Sequence, residues 1–407
     1  MKCGLLGRKL AHSYSPEIHS YLGDYPYSLI EKEPDELSDF FQNSDFSAIN
    51  VTIPYKKDVM PFCTELTDCA KKMGAVNTIV RRADGSLIGH NTDYFGLHYT
   101  FRRMGIPLSG KKVLVLGSGG ASVTTVIVLK ELGADVVIIS RSGENNYENL
   151  YLHKDAAMIV NTTPVGMYPK AGASPIDLDL FPCLEGVLDI IYNPARTKLL
   201  LDAAERNIPC ENGLWMLVAQ AKEASEWFCG TKISDDVIPV IYEKMCKRME
   251  NIVLIGMPGC GKSTIGQALA QQTNRIFVDA DAEIIKKANM PIPEIFEKFG
   301  ENGFRKLESE VLAELGQRSG LVIATGGGCV TRTENYRHLH QNGTIYWIQR
   351  DIASLPTDGR PLSMAGHLAE MYEIRKPLYA RFADRIISND ATVDEAVSAI
   401  WKDRCDI

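Results

Sequence analysis

Two stretches of this sequence have the same order of elements: a short apolar strand, a glycine-rich turn and then a helix. The first covers 111–116 and continues into the letters GSGGAS, and the second covers 251–255 and continues into GMPGCGKST. This order is typical of nucleotide-binding α/β folds, because the helix N-terminus then faces an anionic ligand. The glycine spacings differ, so we predict two different nucleotide-binding domains and no internal repeat.

Length and charge are consistent with a globular chain of several domains. The 407 residues are 45% hydrophobic and 23% charged, which is ordinary for globular proteins. At roughly 100–200 residues per domain, this length predicts two to three domains. The formal net charge is −7, and neither side of a boundary at Glu250 is basic. We therefore expect small-molecule substrates and no nucleic-acid or membrane partner.

The cysteines and the longest uncharged run indicate where in the cell the protein is expected. None of the ten cysteines forms a C-x-x-C pair, which argues against a disulfide framework or a zinc site. The first residues contain no apolar run long enough for a signal peptide. The longest uncharged run, 113–129, is interrupted by glycines, so a strand, a turn and a helix explain it better than a membrane span. We predict a cytoplasmic protein with reduced thiols.

The second glycine turn satisfies G-x-x-x-x-G-K-[ST] directly after an apolar strand, as a phosphate-binding loop requires. Its glycines let backbone N–H groups surround phosphates at a helix N-terminus. We expect Lys262 to contact the β- and γ-phosphates and Ser263 to coordinate Mg²⁺. The predicted ATP-binding residues are Gly256, Gly259, Cys260, Gly261, Lys262, Ser263 and Thr264.

The motifs that follow this loop suit a small acceptor molecule. The next predicted strand ends in Asp279-Ala280-Asp281, which places two carboxylates on one side of the chain. One carboxylate can hold Mg²⁺ and the other can position an acceptor hydroxyl. A triple glycine at 326–328 follows a further apolar strand and lets backbone approach a ligand closely. Three arginines suit a carboxylate or a phosphate, namely Arg305, Arg360 and Arg375.

These motifs, in this order, resemble shikimate kinase over essentially all of 251–407. The resemblance implies phosphorylation of the 3-hydroxyl of shikimate by ATP. Asp281 would hold that hydroxyl and act as base, and Asp279 would support Mg²⁺. The remaining implied roles are Arg305 and Arg375 at the substrate carboxylate, Gly327 and Gly328 against the ring, and Arg360 at the transferring phosphate. The lid, 351–359, is short for this family and lacks the arginine usually placed over adenine, so we expect altered ATP affinity.

The first glycine turn is compatible with a dinucleotide. Gly117, Ser118, Gly119, Gly120 and Ala121 follow a predicted strand. About 20 residues on, where an NAD enzyme carries an acidic residue for the ribose, this chain has Ser140-Arg141. An arginine at this place suits the extra phosphate of NADP.

Polar residues in the first hundred positions form a candidate substrate site. Ser13 and Ser15 flank Tyr14 ahead of Pro16, with hydroxyls that can face one anion. Lys56 follows a strand that ends near Thr52, and Asp93 ends a Gly-His-Asn-Thr-Asp motif. A lysine near an aspartate is a plausible proton-transfer pair.

These motifs, with later ones such as Asn161-Thr162-Thr163-Pro164, resemble shikimate dehydrogenase over most of 1–249. The resemblance implies hydride transfer from NADPH to the ketone of 3-dehydroshikimate, with Lys56 and Asp93 in proton transfer. The implied substrate residues are Ser13, Ser15 and Tyr192 at the carboxylate and Thr52, Asn77, Asp93 and Gln220 at the ring. The implied cofactor residues are Gly117, Ser118, Gly119, Gly120, Ala121, Ser140, Arg141 and Gly213.

This half also departs from the family pattern. Only eighteen residues, 143–160, separate Ser142 from the Asn161 motif, which is too few for the usual helix, strand and helix. We therefore predict that one βα unit of the nucleotide-binding domain is missing. Ser118 replaces the alanine that is usual in the turn. We expect both departures to alter the binding of the cofactor more than the catalytic reaction itself.

The sequence thus predicts an α/β protein that carries out two consecutive steps of the shikimate pathway. A dehydrogenase-like part covers 1–249, with substrate-binding segments 1–96 and 214–249 around a trimmed Rossmann domain, 97–213. A P-loop kinase with a parallel sheet covers 250–407. The predicted cofactors are NADP(H), ATP and Mg²⁺. Two alternatives stay open: a quinate-using dehydrogenase, which would favour NAD, and a non-catalytic shikimate-binding module that regulates the kinase.

Overall fold

A computed structural model describes residues 1–10, 13–355 and 368–405. The backbone groups into two compact units. The first comprises Met1–Val165, Ser174–Tyr192 and Asp202–Met245, and the second comprises Gly166–Ala173, Asn193–Leu201 and Cys246–Ile407. The finer domain boundaries expected from the sequence stay a prediction.

Strands and helices alternate along most of the chain. The strands are β1 (Cys3–Gly7), β2 (Tyr27–Glu31), β3 (Ala48–Val51), β4 (Glu65–Leu66), β5 (Thr78–Arg81), β6 (Leu87–His90), β7 (Lys112–Leu116), β8 (Asp135–Ile139), β9 (Met158–Asn161), β10 (Gly186–Asp189), β11 (Cys210–Asn212), β12 (Asn251–Ile255), β13 (Ile276–Asp279), β14 (Leu321–Ala324), β15 (Gly343–Gln349) and β16 (Arg385–Ser388). The helices are α1 (Ser15–Ser20), α2 (Leu37–Asn43), α3 (Asp68–Met73), α4 (Asp93–Met104), α5 (Gly120–Glu131), α6 (Lys198–Glu205), α7 (Leu214–Cys229), α8 (Val237–Met249), α9 (Lys262–Thr273), α10 (Ala280–Ala288), α11 (Ile292–Gln317), α12 (Glu334–His340), α13 (Leu368–Phe382) and α14 (Val393–Cys405).

The first sheet of the first unit has six strands in the order β2-β1-β3-β5-β6-β4. Strand β5 is antiparallel to both β3 and β6, with Thr78 opposite Asn50 on one side and His90 on the other. Because of this direction, the carboxyl ends of β3 and β6 lie beside the start of β5. The sheet therefore brings together the residues that follow β3, open β5 and follow β6.

The second sheet of this unit has five parallel strands in the order β11-β10-β9-β7-β8. The usual Rossmann order is 3-2-1-4-5-6. Here β7 and β8 take the places of strands 1 and 2, and no strand of the described chain lies beyond β8. Between β8 and β9 the backbone forms only a short 3₁₀ turn, Leu150–His153. The predicted loss of one βα unit is confirmed.

The second unit contains a sheet of five parallel strands in the order β13-β14-β12-β15-β16. Every residue of the central strand β12 is buried, as expected for a parallel strand covered by helices on both faces. The glycine loop leaves the carboxyl end of β12 and leads into α9. Parallel α/β sheets bind ligands at this end of their strands, so the loop is placed for a nucleotide.

The uncharged run 113–129 forms β7, a glycine turn and most of α5, as predicted. Among the described residues, no helix is both long enough and apolar enough to cross a membrane. The nine cysteines whose side chains are described are all free thiols.

Candidate active sites

The centre of the first site is a contact between a lysine and an aspartate. Lys56 lies just beyond β3 and Asp93 is the first residue of α4. Lys56 Nζ lies 2.6 Å from Asp93 Oδ2, and the two side chains are 29% and 12% exposed. The backbone of Asp93 is fixed at the start of α4, because its N–H donates to Asn91 Oδ1 at 3.1 Å. The pair predicted from the sequence is therefore formed, at a partly open surface that a small molecule can reach.

Asn77 joins this pair to the sheet. Its Nδ2 donates to Asp93 Oδ1 at 3.0 Å and to Thr92 Oγ1 at 3.1 Å, and its Oδ1 accepts from Thr92 N at 2.8 Å and from Thr78 Oγ1 at 3.0 Å. An amide side chain has two hydrogens and two lone pairs to offer. All four are thus used within the protein, and Asn77 acts here as a support for Asp93.

Gln220 on α7 reaches the same site from the opposite side. Its Nε2 donates to Leu217 O at 2.8 Å, and its Oε1 accepts from Thr92 Oγ1 at 3.3 Å. One Nε2 hydrogen and one Oε1 lone pair remain for a ligand. Gly96 allows this approach of α4 to α7, because a Cβ at Gly96 would lie 2.7 Å from Met216 O and 3.2 Å from Gln220 Cβ.

The remaining predicted substrate residues stand around the same edge. Ser15 begins α1, and its N–H donates to Ser13 Oγ at 3.2 Å. The rings of Tyr14 and Tyr192 meet edge to face, with centroids 6.3 Å apart. Burial raises the pKa of Tyr192, so its hydroxyl stays protonated and can donate. Thr52 donates its N–H to Leu6 O at 2.9 Å, which fixes it at the end of β3.

A buried aromatic layer supports this edge and was not predicted. The ring of His19 stacks on Tyr27 with centroids 4.1 Å apart, and its Nδ1 lies 2.7 Å from Tyr25 Oη. Burial lowers the pKa of His19 to about 3, so the imidazole is neutral at physiological pH. A histidine four positions after Ser15 on a helix was visible in the sequence, but its partners lie on other elements.

The first glycine turn has the geometry of a nucleotide-binding turn. Gly117 has a φ of +104°, which strongly favours glycine, and it follows β7 directly. A Cβ at Gly119 or Gly120 would meet no atom within 4 Å, so a ligand can approach this backbone closely. Ser118 is exposed and Ala121 lies in the first turn of α5. The helix N-terminus is thereby free to face a pyrophosphate.

Ser140 and Arg141 directly follow β8, on the same side of the sheet as this turn. Arg141 is exposed, and no hydrogen bond or ion pair of its side chain occurs within the described chain. Asn146 N donates to Asn149 Oδ1 at 2.8 Å, and Asn149 Nδ2 donates to Glu144 O at 2.8 Å. These side-chain contacts close the short loop that replaces the missing βα unit.

Gly213 lies between β11 and α7, where side chains are excluded. A Cβ at this position would lie 1.9 Å from Ile190 O, so the backbone of Gly213 passes directly against the end of β10. Nearby, the completely buried Asn161 donates to Asp189 Oδ1 at 3.0 Å. This contact ties the ends of β9 and β10 together at the cofactor side of the sheet.

The phosphate-binding loop of the second unit surrounds a buried lysine. Lys262 Nζ donates to Gly256 O and to Met257 O, both at 2.9 Å, so the side chain folds over the loop. Gly261 has a φ of +101°, and a Cβ there would lie 2.5 Å from Asn389 Nδ2. Asn389 Nδ2 in turn donates to Cys260 O at 2.8 Å. This asparagine supports the loop from a distant part of the chain and was not predicted.

Ser263 and Asp279 form the predicted metal-binding pair. Ser263 Oγ donates to Asp279 Oδ2 at 2.8 Å. The other oxygen, Asp279 Oδ1, accepts from Asp281 N at 3.0 Å, so Asp279 caps α10. A hydroxyl and a carboxylate at the mouth of the loop are hard oxygen ligands of the kind that Mg²⁺ prefers. Gly259 and Thr264 complete the loop, and Thr264 is exposed.

Arg305 is held by a carboxylate that sequence reasoning missed. Arg305 Nη1 lies 2.8 Å from Glu308 Oε2, and Glu308 is completely buried. Burial raises the pKa of Glu308, Arg305 opposes this rise, and the charge of Asp281 adds to it. A Cβ at Gly326 would lie 2.8 Å from Glu308 Oε1 and 2.9 Å from Asp281 Oδ1. The triple glycine therefore passes between the two carboxylates.

The other two glycines lie against Arg305 and Arg375. A Cβ at Gly328 would lie 2.1 Å from Arg305 Nη2. Gly327 O accepts from Arg375 Nη1 at 3.2 Å and from the hydroxyl of the buried Tyr379. The two predicted carboxylate-binding arginines thus flank one glycine segment. Arg360, predicted at the transferring phosphate, lies outside the described residues, as do residues 356–359 of the predicted lid.

Together, the fold and these two sites define a protein that joins a dinucleotide-binding oxidoreductase unit to a P-loop phosphotransferase unit. Residues 5–79 match the family model of the shikimate dehydrogenase substrate binding domain, and residues 258–404 match that of shikimate kinase. A shikimate dehydrogenase (NADP(+)) of Clostridium beijerinckii is 36% identical over 244 residues, which are 55% of this chain and 90% of the relative.

Two solved structures extend the likeness to the fold. Shikimate dehydrogenase 1 of Peptoclostridium difficile matches with a TM-score of 0.56 and 33% identity over 60% of this chain and 98% of its own. A chorismate mutase/shikimate 5-dehydrogenase fusion protein of Clostridium acetobutylicum matches with a TM-score of 0.57 and 34% identity over 60% and 96%. The chain belongs to the shikimate dehydrogenase family and continues into a shikimate kinase domain. Both resemblances drawn from the motifs are confirmed.

Proposed function

We propose that the first unit reduces 3-dehydroshikimate to shikimate and that the second unit phosphorylates the product at its 3-hydroxyl. The observation that carries this proposal is the 2.6 Å contact between Lys56 and Asp93 in a dinucleotide-binding unit. It supplies a proton donor in the same compact unit as a turn suited to a dinucleotide cofactor. The product of the first reaction is the substrate of the second, so the two activities explain why both units occur on one chain.

In the reductive step, bound NADPH would supply the hydride to the carbonyl carbon of the substrate. The carbonyl oxygen gains negative charge and takes a proton, which Lys56 donates from its ammonium group. Asp93 holds the ammonium group of Lys56 in place for this transfer through their 2.6 Å contact. The hydroxyls of Ser13, Ser15 and Tyr192 would bind the substrate carboxylate. Thr52 and Gln220 would bind ring hydroxyls, and Asn77 would act mainly by holding Asp93.

The cofactor would lie across the carboxyl ends of β7 and β8. Gly117, Ser118, Gly119, Gly120 and Ala121 would present backbone N–H groups to the pyrophosphate. Ser140 and Arg141 would bind the 2′-phosphate, for which the exposed and unpaired guanidinium of Arg141 is suited. Gly213 would pass close to the nicotinamide end. The name of the Clostridium beijerinckii relative includes NADP(+), which supports this choice of cofactor.

In the kinase step, ATP supplies the phosphoryl group and Mg²⁺ neutralises its charge. Gly256, Gly259, Cys260, Gly261 and Thr264 would line the phosphates, with Lys262 released from its carbonyl contacts to bind the β- and γ-phosphates. Ser263 and Asp279 would hold the metal. Asp281 would accept the proton of the shikimate hydroxyl, while Arg305 and Arg375 bind the carboxylate against Gly327 and Gly328. Arg360 is proposed to stabilise the transferring phosphate.

One alternative has a specific structural observation in its favour. Among the described residues, no strand of the nucleotide-binding sheet lies beyond β8, which would suit a first unit that binds shikimate without reducing it. Lys56 and Asp93 in contact argue for catalysis. The quinate alternative predicts a preference for NAD, which the exposed Arg141 does not favour. We further propose a cytoplasmic location, without nucleic-acid or membrane partners.

The experiment is a comparison of initial rates with the purified full chain. NADPH oxidation with 3-dehydroshikimate is measured beside NADH oxidation, and shikimate oxidation beside quinate oxidation. The proposal predicts preference for NADPH and for shikimate. Kinase activity without any NADPH oxidation would favour the non-catalytic shikimate-binding module. Preference for NAD⁺ with quinate would favour the quinate-using dehydrogenase.

A further inference from the structure

Thr78 is a completely buried residue next to the dehydrogenase site, and none of the roles above involves it. It is the first residue of β5 and lies opposite Asn50 of β3 and His90 of β6. Its side-chain oxygen lies 3.1 Å from Asn50 Nδ2 and 3.0 Å from Asn77 Oδ1. It also lies 3.4 Å from Thr92 Oγ1. A single hydroxyl thus contacts two amide side chains and a second hydroxyl.

The direction of the first contact is fixed by the surroundings of Asn50. Its Nδ2 lies 3.3 Å from Asn77 O, and its Oδ1 accepts from the hydroxyl of Tyr27 at 2.8 Å. A backbone carbonyl can only accept, so the group of Asn50 that faces it must be the NH₂ group. The same NH₂ group faces Thr78. Thr78 therefore accepts a hydrogen bond from Asn50.

The direction of the second contact is fixed in the same way. Asn77 Oδ1 lies 2.8 Å from the backbone N–H of Thr92, which can only donate. The oxygen of Asn77 is thus the group that faces Thr78. Thr78 has one hydroxyl proton, and this proton is donated to Asn77 Oδ1.

This donation has a consequence for Gln220. The two lone pairs of Asn77 Oδ1 are filled by Thr92 N and Thr78 Oγ1. The hydroxyl of Thr92 lies 3.2 Å from Asn77 Oδ1 and 3.3 Å from Gln220 Oε1, and it has one proton to give. With Asn77 filled, that proton goes to Gln220 Oε1, which lies closer to Thr92 Oγ1 than Thr78 Oγ1 does at 3.4 Å. Gln220 is then held with its remaining Nε2 hydrogen free for a ligand.

We propose that Thr78 is a positioning residue that acts through Asn77 and Thr92 on Gln220. The inference rests on the proposed reduction by the first unit. Without the hydroxyl of Thr78, Asn77 Oδ1 has a vacant lone pair, and the Thr92 proton turns from Gln220 towards Asn77. Gln220 keeps its hydrogen bond to Leu217 O but loses the one from Thr92 that fixes its Oε1, whereas the Lys56–Asp93 contact is not broken. Substrate binding is weakened more than the chemical step.

The test compares Thr78→Val, which keeps the shape but removes the hydroxyl, with Thr78→Ser, which keeps the hydroxyl. Thr78→Val is expected to raise the KM for 3-dehydroshikimate about ten-fold, while kcat changes less than about three-fold. Thr78→Ser is expected to restore the wild-type KM. The matched control is Thr100→Val: Thr100 is equally buried, but its hydroxyl donates only to Gly96 O within α4.

A merely structural role gives a different result. Partial unfolding lowers kcat, because less enzyme is active, and leaves KM unchanged. The second readout is a double-mutant cycle with Gln220→Ala. In the Gln220→Ala background, Thr78→Val should change kcat/KM by less than half as much, in free energy, as it does in the wild type. Full additivity, or an unchanged KM in an active Thr78→Val enzyme, would overturn the inference. A wild-type chain that does not oxidise NADPH would instead contradict the proposed function itself.

Discussion

Glu308 Oε2 lies 2.8 Å from Arg305 Nη1, and both residues lie on α11 one helical turn apart. Glu308 is completely buried, and its other oxygen has no hydrogen-bond partner among the described residues. A buried carboxylate at this place is costly unless it is paired. Its role is therefore to hold the guanidinium of Arg305 against Gly328, where the proposed shikimate carboxylate binds.

We expect Glu308→Gln to weaken shikimate binding by the kinase. The amide keeps the shape but removes the charge that fixes Arg305, so the KM for shikimate should rise about ten-fold, with a smaller change in the KM for ATP. The matched control is Glu297→Gln, an exposed carboxylate on the same helix. Equal changes in both KM values would show that Glu308 stabilises the fold only.

We also expect Glu308 to make the free energy of unfolding depend on pH, which the Glu308→Gln variant can reveal. Burial raises the pKa of Glu308 in the folded state, so the folded state binds the proton more tightly than the unfolded state does. The stabilisation of the folded state by protonated Glu308 is present below the pKa that Glu308 has in the unfolded state. It is lost as the pH rises through the pKa that Glu308 has in the folded state. The free energy of unfolding of the wild type should fall relative to that of Glu308→Gln over this range. Urea unfolding at several pH values measures the difference.

Lys56→Ala should abolish the reductase activity and leave the kinase rate nearly unchanged. Lys56 is the proposed proton donor, and such groups contribute about 10²–10⁴-fold to the rate. Lys57→Ala is the matched control, because Lys57 is the exposed neighbour and its side chain makes no hydrogen bond or ion pair within the described chain. A loss below ten-fold in NADPH oxidation, or an equal loss of both activities, would contradict the role of Lys56.

Arg141→Ala should reduce the discrimination between NADPH and NADH. A charge-assisted contact to the 2′-phosphate contributes roughly 1.5–3 kcal/mol, so the KM for NADPH should rise about ten- to a hundred-fold. The KM values for NADH and for 3-dehydroshikimate serve as internal controls and should change little. Unchanged preference for NADPH would place the phosphate site elsewhere in the trimmed domain.

His19→Phe should make the free energy of unfolding of the first unit depend less on pH below pH 7. Burial lowers the pKa of His19 to about 3. The stability that depends on neutral His19 is therefore complete above the unfolded pKa of about 6.5 and is lost as the pH falls towards 3, by up to about 1.4 kcal/mol per pH unit. Unfolding followed by tryptophan fluorescence between pH 7 and 5 should show a smaller slope for the variant, and an identical slope would exclude His19 as the source.

Much of this architecture could be predicted because it depends on local sequence. The strand before each glycine turn, the Gly261-Lys262-Ser263 loop and the absent βα unit follow from apolar runs, glycine spacing and segment length. The eighteen residues after Ser142 have no room for a helix, a strand and a second helix. These properties need no knowledge of distant contacts.

The supporting residues could not be predicted, because their partners are far away in the chain. Asn389 supports the carbonyl of Cys260 across 129 positions, and the Tyr25 hydroxyl donates to Ser225 across 200. Thr78 lies within a recognised motif, but the directions of its hydrogen bonds depend on Asn50, Asn77 and Thr92 together. Glu308 is an exception, since its spacing of three from Arg305 on a helix indicates an ion pair.

Asp281→Asn should separate the two steps. The phosphate-binding loop is untouched, so ATP should still bind, while the base that positions the shikimate hydroxyl is lost. The kcat for phosphorylation and the affinity for shikimate should both fall, and NADPH oxidation should continue. Glu283→Gln, on the same helix, is the control. Phosphorylation at the wild-type rate would make Asp279 the next candidate for the acceptor-binding carboxylate.

The most direct test of two consecutive activities is one reaction with the wild-type chain, 3-dehydroshikimate, NADPH, ATP and Mg²⁺. Products are followed by absorbance at the NADPH band and by chromatography of the acids. The account predicts that NADPH oxidation and ADP formation proceed in equal amounts, that shikimate 3-phosphate is the final product, and that omission of ATP stops the reaction at shikimate. Accumulation of shikimate in the presence of ATP, or no oxidation of NADPH, would contradict it.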